Sequence, residues 1–201
     1  MLLPYLEPYL IRAMREALPR IESPELREDV QRFCAQEGQH DREHARANAA
    51  IRKQSPGFAR LAEIEREIAA EYAAFTRERS LRFHLAYAEG FEALTAAQSR
   101  TQFDEGVFER MTGPLRDLME WQVMEELEHR TVAFDVYQAI FGGYWYRLVV
   151  GVWAQWHFLS RSFRLTRCMA QADPEAFREC LDARERYTRS AVQVIRGAAG
   201  A

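Results

Sequence analysis

Neither an excess of one charge nor a set of paired cysteines marks this chain. The formal net charge is −3 over 201 residues, so the broad basic surface of a nucleic-acid binder is missing and no nucleic acid is expected as a partner. Cysteine is scarce. Cys34, Cys168 and Cys180 form an odd set without CxxC spacing, which argues against a disulfide framework and fits reduced thiols and a cytoplasmic location. No basic segment followed by an apolar run and a cleavage site opens the sequence, so no signal peptide is expected. Long apolar runs are lacking too. The nearest is YWYRLVVGVWAQWHFLS, Tyr144 to Ser160, which Arg147, Gln155 and His157 interrupt short of the ~20 residues a span needs. It reads as a buried or subunit-facing helix, with a peripheral membrane contact as the alternative.

Alternation of period two is also missing, which leaves no sheet to expect. Glycine and proline cluster at a few breaks, and Ser23-Pro24 and Asp173-Pro174 each set a capping residue before a proline suited to the first helical turn. The breaks predict helices at about 4–19, 24–52 and 58–79, the last running on into 80–101. A further helix from about 106 or 114 to 140 precedes two more, at 144–169 and 174–196. No linker rich in Gly, Pro or Ser divides the chain, so residues 1–201 are expected to form one all-α domain, a core bundle over about 4–140 with extra helices over 144–196.

What the sequence does hold is carboxylates inside apolar stripes. Glu7 lies among Leu3, Leu10, Ile11, Met14 and Leu18 at helical spacing. In the next helix Val30, Phe33 and Ile51 share a face with Glu37, His40 and His44; at ~100° per residue the two histidines fall roughly 60° and 20° from Glu37. Glu89 sits with Leu85, Ala93 and Ala96, and His129 aligns with Leu118, Val132, Val136 and Ile140. A buried carboxylate without a partner is costly. Several on facing helices imply a shared partner, which a pair of divalent cations supplies. The pattern also occurs twice: a lone Glu, a turn, then Glu-x-x-His, as Glu7 with Glu37/His40 and Glu89 with Glu126/His129. This is the ligand set of the di-iron and di-manganese carboxylate bundles, a ferritin-like four-helix arrangement. Oxygen and imidazole donors without thiolate suit iron, manganese or zinc; two divalent ions, iron foremost, are the expected cofactor.

The segments LPYLEPYLIRAMREA, QEGQHDREH and EELEHRTVAFDVY resemble a bacterial family of predicted metal-dependent hydrolases in the ferritin-like group, over about residues 2–185. The resemblance implies a ferritin-like bundle with metal held by Glu7, Glu37, His40, His44, Glu89, Glu126 and His129, and it implies hydrolysis. Relatives often carry His where this chain has Gln122 and Gly90, and they usually have a segment upstream of the helix that holds Glu7. A shortened start would leave the site more open.

Glu125, Glu126 and Glu128 cannot all bind. Glu-x-x-His spacing favours Glu126 as the ligand, with Glu125 the alternative, and Glu125 or Glu128 as the general base of a hydrolase. His44 is either a ligand or a support hydrogen-bonded to one. Cys34 and His157 read as structural, His84 as structural or exposed, and Asp135 as an anchor for a ligand or an arginine. Two enzyme classes compete: a metallohydrolase, and a di-iron oxidase or oxygenase acting on an apolar substrate. Metal storage is a third reading. The aromatics of residues 141–158 and the apolar interior point to a small apolar substrate or a homodimer interface.

Overall fold

The computed structural model describes residues 2–54, 59–175 and 177–178. They form seven α-helices: α1 Leu3–Ala17, α2 Pro24–Gln54, α3 Ala59–Glu78, α4 Leu81–Asp104, α5 Pro114–His129, α6 Val132–Ile140 and α7 Tyr144–Ala172. No strand occurs among the described residues. The fold class is all-α, as the missing alternation implied.

Local chemistry sets the helix ends. Ser23 accepts a hydrogen bond from the Leu26 amide at 3.2 Å and starts α2 just ahead of Pro24. Ser80 does the same for Phe83 at 3.4 Å. That cap separates α3 from α4, where the sequence had suggested one continuous run. Gly113 takes a positive φ of 75° immediately before Pro114, which places the start of α5 at the later of its two expected positions. One break had no signal: α5 stops at His129 and α6 begins at Val132, although neither Gly nor Pro lies between them. The break brings Val132, Ala133, Val136 and Tyr137 into the core while His129 stays on the inner face of α5. Of the helix expected at 174–196, most lies outside the described residues.

Helices α1, α2, α4 and α5 close a ring: α1 packs on α2 and α4, and α5 packs on both α2 and α4. α6 seals one side against α4, α2 and α1, while α3 and α7 cover the outer faces of α1 and α4. Leu6, Leu10, Met14, Phe33, Leu85 and Phe91 are fully or nearly fully buried around this ring. Outside it, an aromatic layer ties α3, α4 and α7 together. The Tyr72 and Tyr87 hydroxyls meet at 3.0 Å, Tyr87 reaches His157 Nδ1 at 2.9 Å, and Trp153 stacks on His157. His157 is thus a buried histidine held through Nδ1, with Glu71 facing its Nε2 at 3.5 Å. His84 is also structural, paired with the Tyr9 hydroxyl at 2.9 Å.

The crossing of α4 and α7 depends on the absence of side chains. A Cβ on Gly90 would lie 2.3 Å from the Gly151 Cα, far inside contact distance. This close approach lets Gln155 donate to the Gly90 carbonyl at 3.1 Å. Gly90→Ala is therefore expected to push the helices apart and cost about 1–3 kcal/mol by overpacking. Chemical denaturation checks this; an unchanged midpoint contradicts the packing.

Candidate metal centre

The ring of helices encloses charge. Glu7 on α1, Glu37 on α2, Glu92 on α4 and Glu126 on α5 are each no more than 4% exposed. His40 and His129 are buried among them, and His44 stands beside Glu7. Ligand atoms of Glu37, His40, Glu126 and His129 lie within 4.8 Å of one another. His129 Nε2 faces Glu37 Oε1 at 3.2 Å and its Nδ1 faces Glu92 Oε2 at 3.5 Å. His40 Nδ1 looks inward, 3.5 Å from Glu37 Oε1 and 3.8 Å from Glu126 Oε1. Glu7 Oε1 and His44 Nε2 are 3.8 Å apart and extend the group.

Most of these atoms have no hydrogen-bond partner although they are buried. Glu7 Oε2, Glu37 Oε1, His40 Nδ1, His44 Nε2, both Glu92 oxygens, Glu126 Oε2 and both nitrogens of His129 are orphaned. Native interiors satisfy nearly all such groups, so convergent lone pairs in one shell call for an electrophile at their centre. The donor set fits divalent cations. Four carboxylates carry four negative charges, which two divalent ions would cancel, and oxygen and imidazole donors suit iron, manganese or zinc.

The surroundings orient the donors. His40 Nε2 is 2.9 Å from Glu125 Oε2, so with the ring proton on Nε2 this nitrogen donates outward and leaves the Nδ1 lone pair facing in. Trp121 meets the same ring edge-on at 4.9 Å between centroids. Gln122 donates to Glu126 Oε1 at 3.5 Å and braces that carboxylate.

Without cations, protons must balance the charge. Burial pushes the carboxyls of Glu7 and Glu126 well up, and the neighbouring carboxylates add to it. Burial likewise raises Glu92, partly offset by His129. Burial also works against charge on Glu37, but His129 and His40 hold that carboxyl below its usual range. For His129 burial opposes protonation, yet Glu37 and Glu92 override it and push the imidazole up to about 11. His44 is driven down to about 4 by burial and the adjacent His40, so it is neutral and free to donate a lone pair.

Six of the seven expected ligands thus converge: Glu7, Glu37, His40, His44, Glu126 and His129. Glu89 does not. It turns toward α7, where Arg147 holds it at 2.5 Å, and Glu92, one turn further along α4, takes the place expected for it. The apolar pattern of α4 could not separate the two, because α4 is packed from both sides and buried almost all round between His84 and Glu92. The spacing Leu85, Glu92, Ser99, with all three buried, is the signal that marks the inner face. Of the two expected bases, Glu125 holds His40, and Glu128 is exposed and accepts from Gln36 at 3.0 Å, clear of the carboxylates. Asp135 is exposed on α6 rather than anchoring a ligand or an arginine. Cys34 is a buried free thiol; Cys180 lies outside the described residues.

Because Glu7, Glu92 and Glu126 bind protons more tightly folded than unfolded, their contribution favours the metal-free fold at low pH and is lost as pH rises through the raised values. Cations must displace these protons. Calorimetric zinc titration at pH 7 in buffers of different ionisation enthalpy is expected to show release of more than one proton per chain, with affinity climbing as pH rises. Uptake without proton release contradicts the buried-carboxylate geometry.

No curated protein and no solved structure matches the chain significantly. The model of a family described as "Predicted metal-dependent hydrolase" matches residues 1–200. The chain belongs to that family of predicted metal-dependent hydrolases, and its buried Glu/His cluster is the place in the fold where a metal ion could be held.

Proposed function

We propose that this protein is a hydrolase built on a dimetal carboxylate centre in a ferritin-like bundle. The observation that carries the reading is the set of orphaned, converging donors on four different helices. Glu7 and Glu92 would supply the lone carboxylates, and Glu37/His40 and Glu126/His129 the two Glu-x-x-His pairs, with His44 as an added donor beside Glu7. Divalent cations in such a set acidify water and polarise a carbonyl or phosphoryl oxygen. The chain's own residues do the rest. Glu125 fixes the His40 ring, Gln122 braces Glu126, and the surrounding side chains exclude bulk water.

A small cavity beside Glu126 would bring substrate to the cluster. It measures about 120 Å³, the liquid volume of about four waters, and ends at Glu126. Leu3, Met119, Val123 and Phe158 supply most of its exposed wall, with Thr95, Gln98, Ser99, Gln102 and Gln122 as polar points. Among the described residues Glu126 is its only charged lining residue, so an uncharged, largely apolar group would fit it. That apolar wall favours one second reading, a di-iron oxidase or oxygenase.

Loading the metal-free chain with zinc, manganese or anaerobic ferrous iron separates the two. The hydrolase reading expects turnover of uncharged activated esters by a zinc or manganese form, and no oxygen consumption by the iron form. Oxygen uptake with an optical change on the iron form, and no ester turnover by any form, overturns it in favour of the oxidase. Glu125→Gln is expected to weaken metal affinity about 10–100-fold, because its carboxylate accepts from Nε2 and orients the His40 ring. Competition with a chromogenic chelator measures this, and unaltered affinity contradicts the positioning role.

A further inference from the structure

The outer face of α7 is apolar where a solvated helix is polar. Trp145, Val149, Val152, Trp156, Leu159 and Phe163 are between 47% and 74% exposed. Their spacing is 4-3-4-3-4, and at 100° per residue all six fall within roughly 40° of Trp145. Such a strip is a coiled-coil seam, extending about 27 Å along the helix. The opposite face, with Val150, Ala154, His157 and Leu165, is already buried against the rest of the fold. Gln155, Ser160 and Thr166 border the strip, while the exposed Leu148 and Tyr144 widen it at the start of α7, so beyond that first turn it is matched to another helix rather than to a plane.

We propose that this strip is the interface of an antiparallel homodimer, α7 against α7 of a second copy, with the two-fold axis level with residue 154. Three features select that occupant and that direction. In the antiparallel register Trp156 of each copy faces Val152 of the other, Val149 faces Leu159, and Trp145 faces Phe163, so large side chains meet smaller ones in the central layers. The register is also its own symmetry mate, as a two-fold interface requires. Charge excludes the parallel alternative. α7 holds four arginines and no acidic residue between Tyr144 and Ala172. Arg147, Arg161 and Arg164 are paired with Glu89, Glu71 and Glu67 of the same chain. Parallel pairing would set Arg167 against Arg167. Antiparallel pairing sets it level with residue 141 of the second copy, beside the Tyr144 and Trp145 rings that attract a guanidinium. The six side chains offer roughly 800 Å², one partner's share of a standard-size stable interface.

This inference is independent of the chemistry of the metal centre, and sedimentation of the full chain at roughly 10 μM tests it, a concentration at which a dissociation constant of about 1 μM leaves most chains paired. The wild type is expected to be a dimer. Val149→Lys/Leu159→Lys sets like charges against each other in two layers and is expected to weaken dimerisation about 100-fold. Val149→Lys/Leu159→Glu sets opposite charges together only in the antiparallel register, and it is expected to restore the dimer. Circular dichroism and metal content serve as folding controls, since both positions face away from the cluster. A monomeric wild type overturns the proposal; if that monomer floats with anionic phosphatidylserine vesicles, the strip is a membrane contact instead. A Lys/Lys variant that stays dimeric places the interface elsewhere. A Lys/Glu variant that stays monomeric overturns the antiparallel register.

Discussion

Four carboxylates buried in one shell repel each other, and no arrangement of helices removes that repulsion by packing alone. Taking a charge out of water costs several kcal/mol even after relaxation, and here Glu7, Glu37, Glu92 and Glu126 come from four different helices. Protons balance part of the charge in the metal-free chain, as the raised carboxyls and the raised His129 show. Divalent cations balance it better, because they also satisfy the orphaned lone pairs. The closed ring of α1, α2, α4 and α5 is the scaffold on which this centre depends, and cations would in turn bind the ring together.

The remaining helices keep that ring rigid from outside. α7 lies against α4 at the glycine pair Gly90 and Gly151, and its Arg147 draws Glu89 away from the centre. The Tyr72–Tyr87–His157 chain carries hydrogen bonding through the layer between α3, α4 and α7 without leaving these buried polar groups isolated. Among the described residues no helix is long and apolar enough to cross a membrane. The apolar side chains of α7 divide instead between its inner face and the exposed strip.

Much of this was legible in the sequence because helical periodicity is a strong signal when one face is buried and the other wet. α1 and α2 are such helices, and Glu7, Glu37, His40 and His44 could be placed on their inner faces from spacing alone. α4 is buried on both sides, so its stripe carries no unique direction, and the sequence pointed to Glu89 where the structure has Glu92. The pairing of Glu89 with Arg147, a contact across 58 residues, and the approach of Glu92 to His129 separate them. The break between α5 and α6 lacks Gly or Pro and follows from tertiary packing, not local propensity. The role of Glu125 was hidden for a similar reason: its partner His40 is 85 residues away.

The most direct measurement is the metal stoichiometry of the zinc-reconstituted chain, set beside Glu89→Ala and Glu92→Ala. Two ions per chain are expected in the wild type and in Glu89→Ala, with clear loss in Glu92→Ala. A wild type that binds one ion or none, or a Glu89→Ala variant that loses metal as Glu92→Ala does, would contradict a dimetal centre formed by Glu7, Glu37, His40, Glu92, Glu126 and His129.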